Sequence, residues 1–144
     1  MSVAMPQTIA LTTLVVADYD AAIAFYCGKL GFALVEDTPL PGAKRWVVVA
    51  PAGAAGGLLL ARAAGDHQAS RVGDQTGGRV GFFLETDDFA GDHARLIEAG
   101  VVFVRPPRRE PYGIVAVFQD LYGNLWDLIE PASSRRLDLG AAPP

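Results

Sequence analysis

Asp127 is the ionisable side chain placed to do the most chemistry. It stands in an apolar run, Leu125-Trp126-Asp127-Leu128-Ile129. Strand alternation puts it on one face with Leu125 and Ile129, and gives the other face to Trp126 and Leu128. A carboxylate in such surroundings can bind a ligand or accept a proton, with its pKa raised by desolvation. It can equally be a structural Asp paired with an arginine. Arg105, Arg108 and Arg109 form a basic cluster leading to Tyr112. That cluster either binds a carboxylate or phosphate group or is a solvated loop offset by Glu110. Trp46, next to Arg45, either stacks on an aromatic ligand or packs in the core.

The remaining reactive residues are sparse. His67 lies in a polar stretch, as part of a lid or simply solvated. His93 follows Phe89 by four residues and precedes Leu96 by three, which places it at the edge of a helix–sheet contact. Cys27 reads as a small buried hydrophobe rather than a nucleophile. As the single cysteine, it excludes an intrachain disulfide and a thiolate metal cluster, and suits a reducing compartment. The chain has no H-E-x-x-H helix, no Gly-x-Ser-x-Gly elbow and no phosphate loop. Its net charge of −4 gives no basic footprint for nucleic acid. Met1-Ser2-Val3-Ala4-Met5-Pro6 has no basic residue ahead of an apolar core, so a secretory signal is not expected, and no apolar run approaches the ~18 residues of a membrane span. A cytoplasmic protein is expected.

These residues need elements to position them, and the chain supplies them twice. Val16-Ala17-Asp18 opens a helical stretch that ends at Leu30-Gly31-Phe32; Glu85-Thr86-Asp87 opens another that ends at Ala99-Gly100-Val101. Asp18 and Asp87 are 69 residues apart, as are Gly31 and Gly100. In the first copy, Ile9–Val16 reads as a strand, Tyr19, Ile23, Tyr26 and Leu30 recur at helical spacing, and Phe32–Glu36 reads as a short strand. Thr38-Pro39-Leu40-Pro41-Gly42 predicts a loop, with strands at 45–50 and 57–61 after it. The second copy predicts a strand at 79–85, a helix at 88–99, a strand at 101–105, a Pro106-Pro107-Arg108-Arg109-Glu110-Pro111 loop and strands at 114–119 and 125–130. Modules at 9–61 and 79–131, a linker at 62–78 and a flexible tail at 132–144 complete a single domain. The 144 residues, 51% of them hydrophobic, are ample for its core.

The order of Leu14-Val15-Val16-Ala17-Asp18, Ala24-Phe25-Tyr26 to Leu30-Gly31-Phe32, Arg45-Trp46, Glu85-Thr86-Asp87-Asp88, Pro111-Tyr112-Gly113 and Phe118-Gln119-Asp120 to Trp126-Asp127-Leu128 resembles the glyoxalase / bleomycin-resistance / extradiol-dioxygenase superfamily, the vicinal oxygen chelate proteins. The resemblance spans residues 9 to 131. It implies an α+β fold: two tandem βαβββ modules forming a curved mixed sheet, with a concave groove and helices on the outer face. Members typically hold a divalent metal in that groove, with donors from the first and last strands of each module. At those positions this chain has Leu11, Leu58 within Gly57-Leu58-Leu59-Leu60, Gly81 and Asp127. One carboxylate cannot hold a metal that needs three or four donors.

The resemblance therefore implies a metal-free, bleomycin-resistance-like protein that binds a small organic molecule in an apolar groove, as a homodimer. The expected ligand-binding residues are Leu11, Trp46, Leu58, Gly81, Phe83, Tyr112 and Asp127, with Asp127 the candidate for any catalytic role. No cofactor is expected. The alternatives are a glyoxalase- or dioxygenase-type enzyme with a non-standard divalent metal site, recruiting His67 and Asp127, and a structural dimeric module.

Overall fold

The computed structural model describes residues 6–132, so the tail expected at 132–144 lies, apart from Ala132, outside the described residues. The chain divides into two compact units, Met1–Val72 and Gly73–Pro144. Each contains one βαβββ module with a four-stranded mixed sheet. The first strand of one module, Leu11–Val16 (β1), lies 69 residues before the first strand of the other, Val80–Glu85 (β5). The internal repeat is thus carried into three dimensions.

In the first module β1 leads to a helix, Tyr19–Ile23 (α1), capped by the Asp18 carboxylate accepting from Ala21 N at 2.7 Å. The helical stretch expected as far as Leu30 widens after Ile23 into a π-turn over Ala24–Lys29, where Leu30 N donates to Phe25 O five residues back. Gly31 at φ 82° ends it, a left-handed conformation cheap only without a Cβ. Three antiparallel strands follow: Ala33–Pro39 (β2), Arg45–Ala50 (β3) and Gly57–Arg62 (β4). The last of them pairs in parallel with β1 to give the order β1-β4-β3-β2. Leu14, Tyr26, Val47, Val49 and Leu60 are almost wholly buried. Arg45 clamps the helix to the sheet. Its guanidinium bonds Asp20 and Asp37, each at 2.8 Å, and lies 5.1 Å from the centre of the Tyr19 ring. The connection to the second module carries a short helix, Gly65–Ala69 (α2).

In the second module β5 precedes the helix Phe89–Glu98 (α3), capped by Asp88 rather than by Asp87. Strands Phe103–Glu110 (β6), Gly113–Gln119 (β7) and Leu125–Pro131 (β8) give the order β5-β8-β7-β6. Rings line the helix side of this sheet. Phe82 stacks on Trp126 at 4.8 Å, Trp126 on Phe118 at 5.8 Å, and Phe118 leads through Phe103 to His93 and Phe89 of α3. His93 therefore belongs to the helix–sheet packing.

Two predicted loops are strand instead. β2 runs through Thr38 to Pro39, and β6 contains Pro106 and Pro107. Both are outermost strands of their sheets, where a residue without an N–H costs no ladder bond on its free side. β6 also shifts register between Arg105 and Arg108, across the two prolines, as a bulge does.

Candidate functional site

The register of the second sheet assembles the site one strand at a time. Asp127 of β8 lies opposite Phe83 of β5 on one side and Val117 of β7 on the other, and Val117 lies opposite Arg105 of β6. Directly paired residues point to the same face. Phe83, Asp127, Val117 and Arg105 thus form one row, on the face away from α3, because Trp126 and Leu128 occupy the helix side. The next row adds Glu85, Ile129, Val115 and Arg108.

Asp127 is half-buried and makes no hydrogen bond or short ion pair among the described residues. Burial pushes its carboxyl above the usual carboxylate range, while the charges of Arg108 and Arg105 pull it part of the way back. Arg108 is already committed: its Nε donates to Glu110 at 2.7 Å, and its side chain is hydrogen-bonded to Tyr112. Arg105 is exposed, with no hydrogen bond among the described residues. Phe83 is 60% exposed and stacks on no other ring among the described residues. An apolar ring, a carboxylate free to accept and a guanidinium free to donate therefore stand in line. The structural alternative for Asp127, a carboxylate paired with an arginine, is not what the described residues form, since Arg105 and Arg108 act on it only through their charge.

The helix-free face of the first module is more apolar. β1 pairs Leu11 with Gly57, Thr13 with Leu59 and Val15 with Ala61, and β3 adds Val48 and Trp46. Leu11 and Trp46, 36% and 38% exposed, both lie there. Leu58 does not. Arg62 lies over Tyr19 of α1 at 5.2 Å, so alternation along β4 turns Leu60 and Leu58 to the helix and leaves Leu59 on the free face. Leu58 is accordingly buried in the core at 7% exposure. Gly81 sits in a bulge of β5, and a Cβ there would come within 2.6 Å of the Thr76 methyl. The two histidines are apart from these residues, His67 exposed on α2 and His93 between rings. Cys27 is partly buried, which raises its thiol pKa and makes it a poorer nucleophile.

The donor set does not fit a divalent metal. Leu11, Gly57, Leu59 and Gly81 have no side-chain lone pair, which leaves Asp127 alone. Among the described residues no three His, Cys, Asp or Glu side chains gather as a metal site would need. Among the same residues no helix is long and apolar enough to cross a membrane.

The chain is similar to known proteins over most of its length. A protein of Shewanella frigidimarina (strain NCIMB 400) is 56% identical over 128 residues, which cover 88% of this chain and 95% of that protein. The crystal structure of TnmS3, an antibiotic binding protein from Streptomyces sp. CB03234, is 33% identical with a TM-score of 0.70, covering 89% of this chain and 99% of that one. A superfamily member from Sphaerobacter thermophilus DSM 20745 is 30% identical with a TM-score of 0.68, over 86% and 97% of the two chains. The profile of one family matches residues 8–128, nearly the whole described chain. By its paired modules and by that match, the chain belongs to the Glyoxalase/Bleomycin resistance protein/Dioxygenase superfamily.

Proposed function

We propose that this protein binds a small organic molecule on the helix-free face of its second module, without a metal ion, and that it does so as a homodimer in the cytoplasm. The observation that carries the reading is Asp127, half-buried yet accepting no hydrogen bond among the described residues, beside the exposed ring of Phe83. Its carboxyl is partly desolvated, and a ligand N–H or O–H would supply the donor that no described residue gives it. The likeness to TnmS3, an antibiotic binding protein, supports binding as the purpose. The donor-poor strands support a site that needs no metal.

The test combines metal analysis with a thermal-shift screen. Protein purified without chelator is expected to carry no stoichiometric metal. One class of aromatic compounds is expected to raise its Tm, since a ligand selective for the native state stabilises it. Near-stoichiometric Fe, Mn, Ni or Zn, lost on Asp127→Ala, would overturn the metal-free reading. A flat screen would favour the structural-module alternative, and light scattering showing a monomer at micromolar concentration would remove the dimer. The raised carboxyl of Asp127 also suits a proton acceptor. Turnover of a bound carbon acid, lost in Asp127→Asn with binding retained, would establish that role.

A further inference from the structure

The row Phe83–Asp127–Val117–Arg105 specifies more than an apolar ligand, and we infer that it selects a planar aromatic acid carrying a ring hydroxyl or amine. This rests on the small-molecule reading above. Three features of the row define the ligand. Phe83, on the edge-side strand β5, offers an exposed ring face with no stacking partner among the described residues, which suits an aromatic plane. Asp127, directly opposite on β8, offers acceptor oxygens with no donor among the described residues, which suits an O–H or N–H. Arg105 lies two strands further, opposite Val117, roughly 10 Å away at about 4.8 Å per strand. Among the described residues its guanidinium is the cation of this face without a hydrogen bond, because Arg108 is held by Glu110 and Tyr112. A guanidinium prefers a carboxylate or phosphate, which it can bind through two parallel N–H donors.

Order along the row matters. The donor of the ligand meets Asp127 and its anion meets Arg105, with the apolar ring body crossing Val117 between them. A molecule with the anion alone would set an apolar ring edge against Asp127 and leave its acceptor oxygens without a donor. A molecule with the donor alone would leave Arg105 unused. Neither captures both ends of the row.

The test uses 4-hydroxybenzoate, benzoate, methyl 4-hydroxybenzoate and toluene as probes, with binding measured by calorimetry and by NMR shifts of the full chain. The wild-type protein is expected to bind 4-hydroxybenzoate about tenfold or more tightly than either single-group probe, the scale of one charge-assisted hydrogen bond. Arg105→Met is expected to abolish the preference of acid over methyl ester, and Asp127→Leu the preference of hydroxybenzoate over benzoate. Both sites are on the sheet surface, and circular dichroism will confirm that the variants fold. Equal binding of all probes, or preferences unchanged in both variants, would overturn the inference. If toluene and the ester bind best and only Phe83→Ala weakens them, small-molecule binding stands and the aromatic-acid specificity falls. If no probe binds at all, the aromatic-acid specificity falls, and the thermal-shift screen decides the small-molecule reading.

Discussion

Replacing Trp126 and replacing Phe83 should have opposite consequences, although the two residues lie on neighbouring strands of one sheet. Trp126 is 4% exposed and is stacked between Phe82 and Phe118. Its ring buries roughly 200 Å², worth about 5 kcal/mol at ~25 cal/mol per Å². Trp126→Ala is expected to cost about 4 kcal/mol, within the range of large-to-small aromatic substitutions. Phe83 is 60% exposed, so its ring hides roughly 70 Å². That burial is worth about 2 kcal/mol before correction, and about 1 kcal/mol once the compactness of the unfolded chain is allowed for. At ~4 °C per kcal/mol for a chain of this size, the Tm should fall by about 15 °C for Trp126→Ala and about 4 °C for Phe83→Ala. Urea unfolding with linear extrapolation measures both costs, and the thermal-shift screen measures ligand response. Phe83→Ala should lose ligand stabilisation while keeping most of its fold. Equal costs for the two variants, or a loss below ~1.5 kcal/mol for Trp126→Ala, would refute the assignment of the faces.

Two further outcomes follow from single side chains. Burial raises the pKa of Asp127 in the folded chain, so its charged form costs stability. That cost is absent below the unfolded value of about 4 and grows as pH rises through the folded one. Asp127→Asn should therefore be more stable than the parent at pH 7, with the two converging as pH falls toward ~4; a gap that widens on acidification would contradict the burial of this carboxyl. Gly113 opens β7 at φ 148°, and a Cβ there would meet the Glu130 carbonyl. Gly113→Ala should cost more than about 1 kcal/mol, and urea unfolding showing a neutral change would exclude that close approach.

Much of the fold could be read from residue order because the module occurs twice. The Asp-to-Gly spacing places both helical stretches, and the apolar alternation places most strands. The prolines misled for a physical reason. Pro39, Pro106 and Pro107 are compatible with strand only at a sheet edge, and edge position is decided by long-range pairing. Leu58 lies one residue from the free-face position, which the residue order conceals for a similar reason: in Gly57-Leu58-Leu59-Leu60 the alternation that distinguishes the faces is hidden by three identical side chains. The stack of Arg62 on Tyr19 resolves the ambiguity, and those residues are far apart in sequence. Arg105 was visible as part of a basic cluster. Its separation from Arg108 was not, because it depends on Glu110 and Tyr112 claiming one guanidinium and leaving the other.

The prolines of β6 also bear on how such a chain survives its own synthesis. A polypeptide that encodes one sheet twice presents near-equivalent strand borders, and each is a template for adding a foreign strand. β6 meets an incoming strand with Pro106 and Pro107, which have no N–H to offer, and with the like charges of Arg105, Arg108 and Arg109. Such a border repels further copies of the chain and discourages polymerisation from that side. The same segment that supplies the cation of the proposed binding row thus guards the molecule against aggregation, so substitutions made there to test ligand preference act on colloidal behaviour as well.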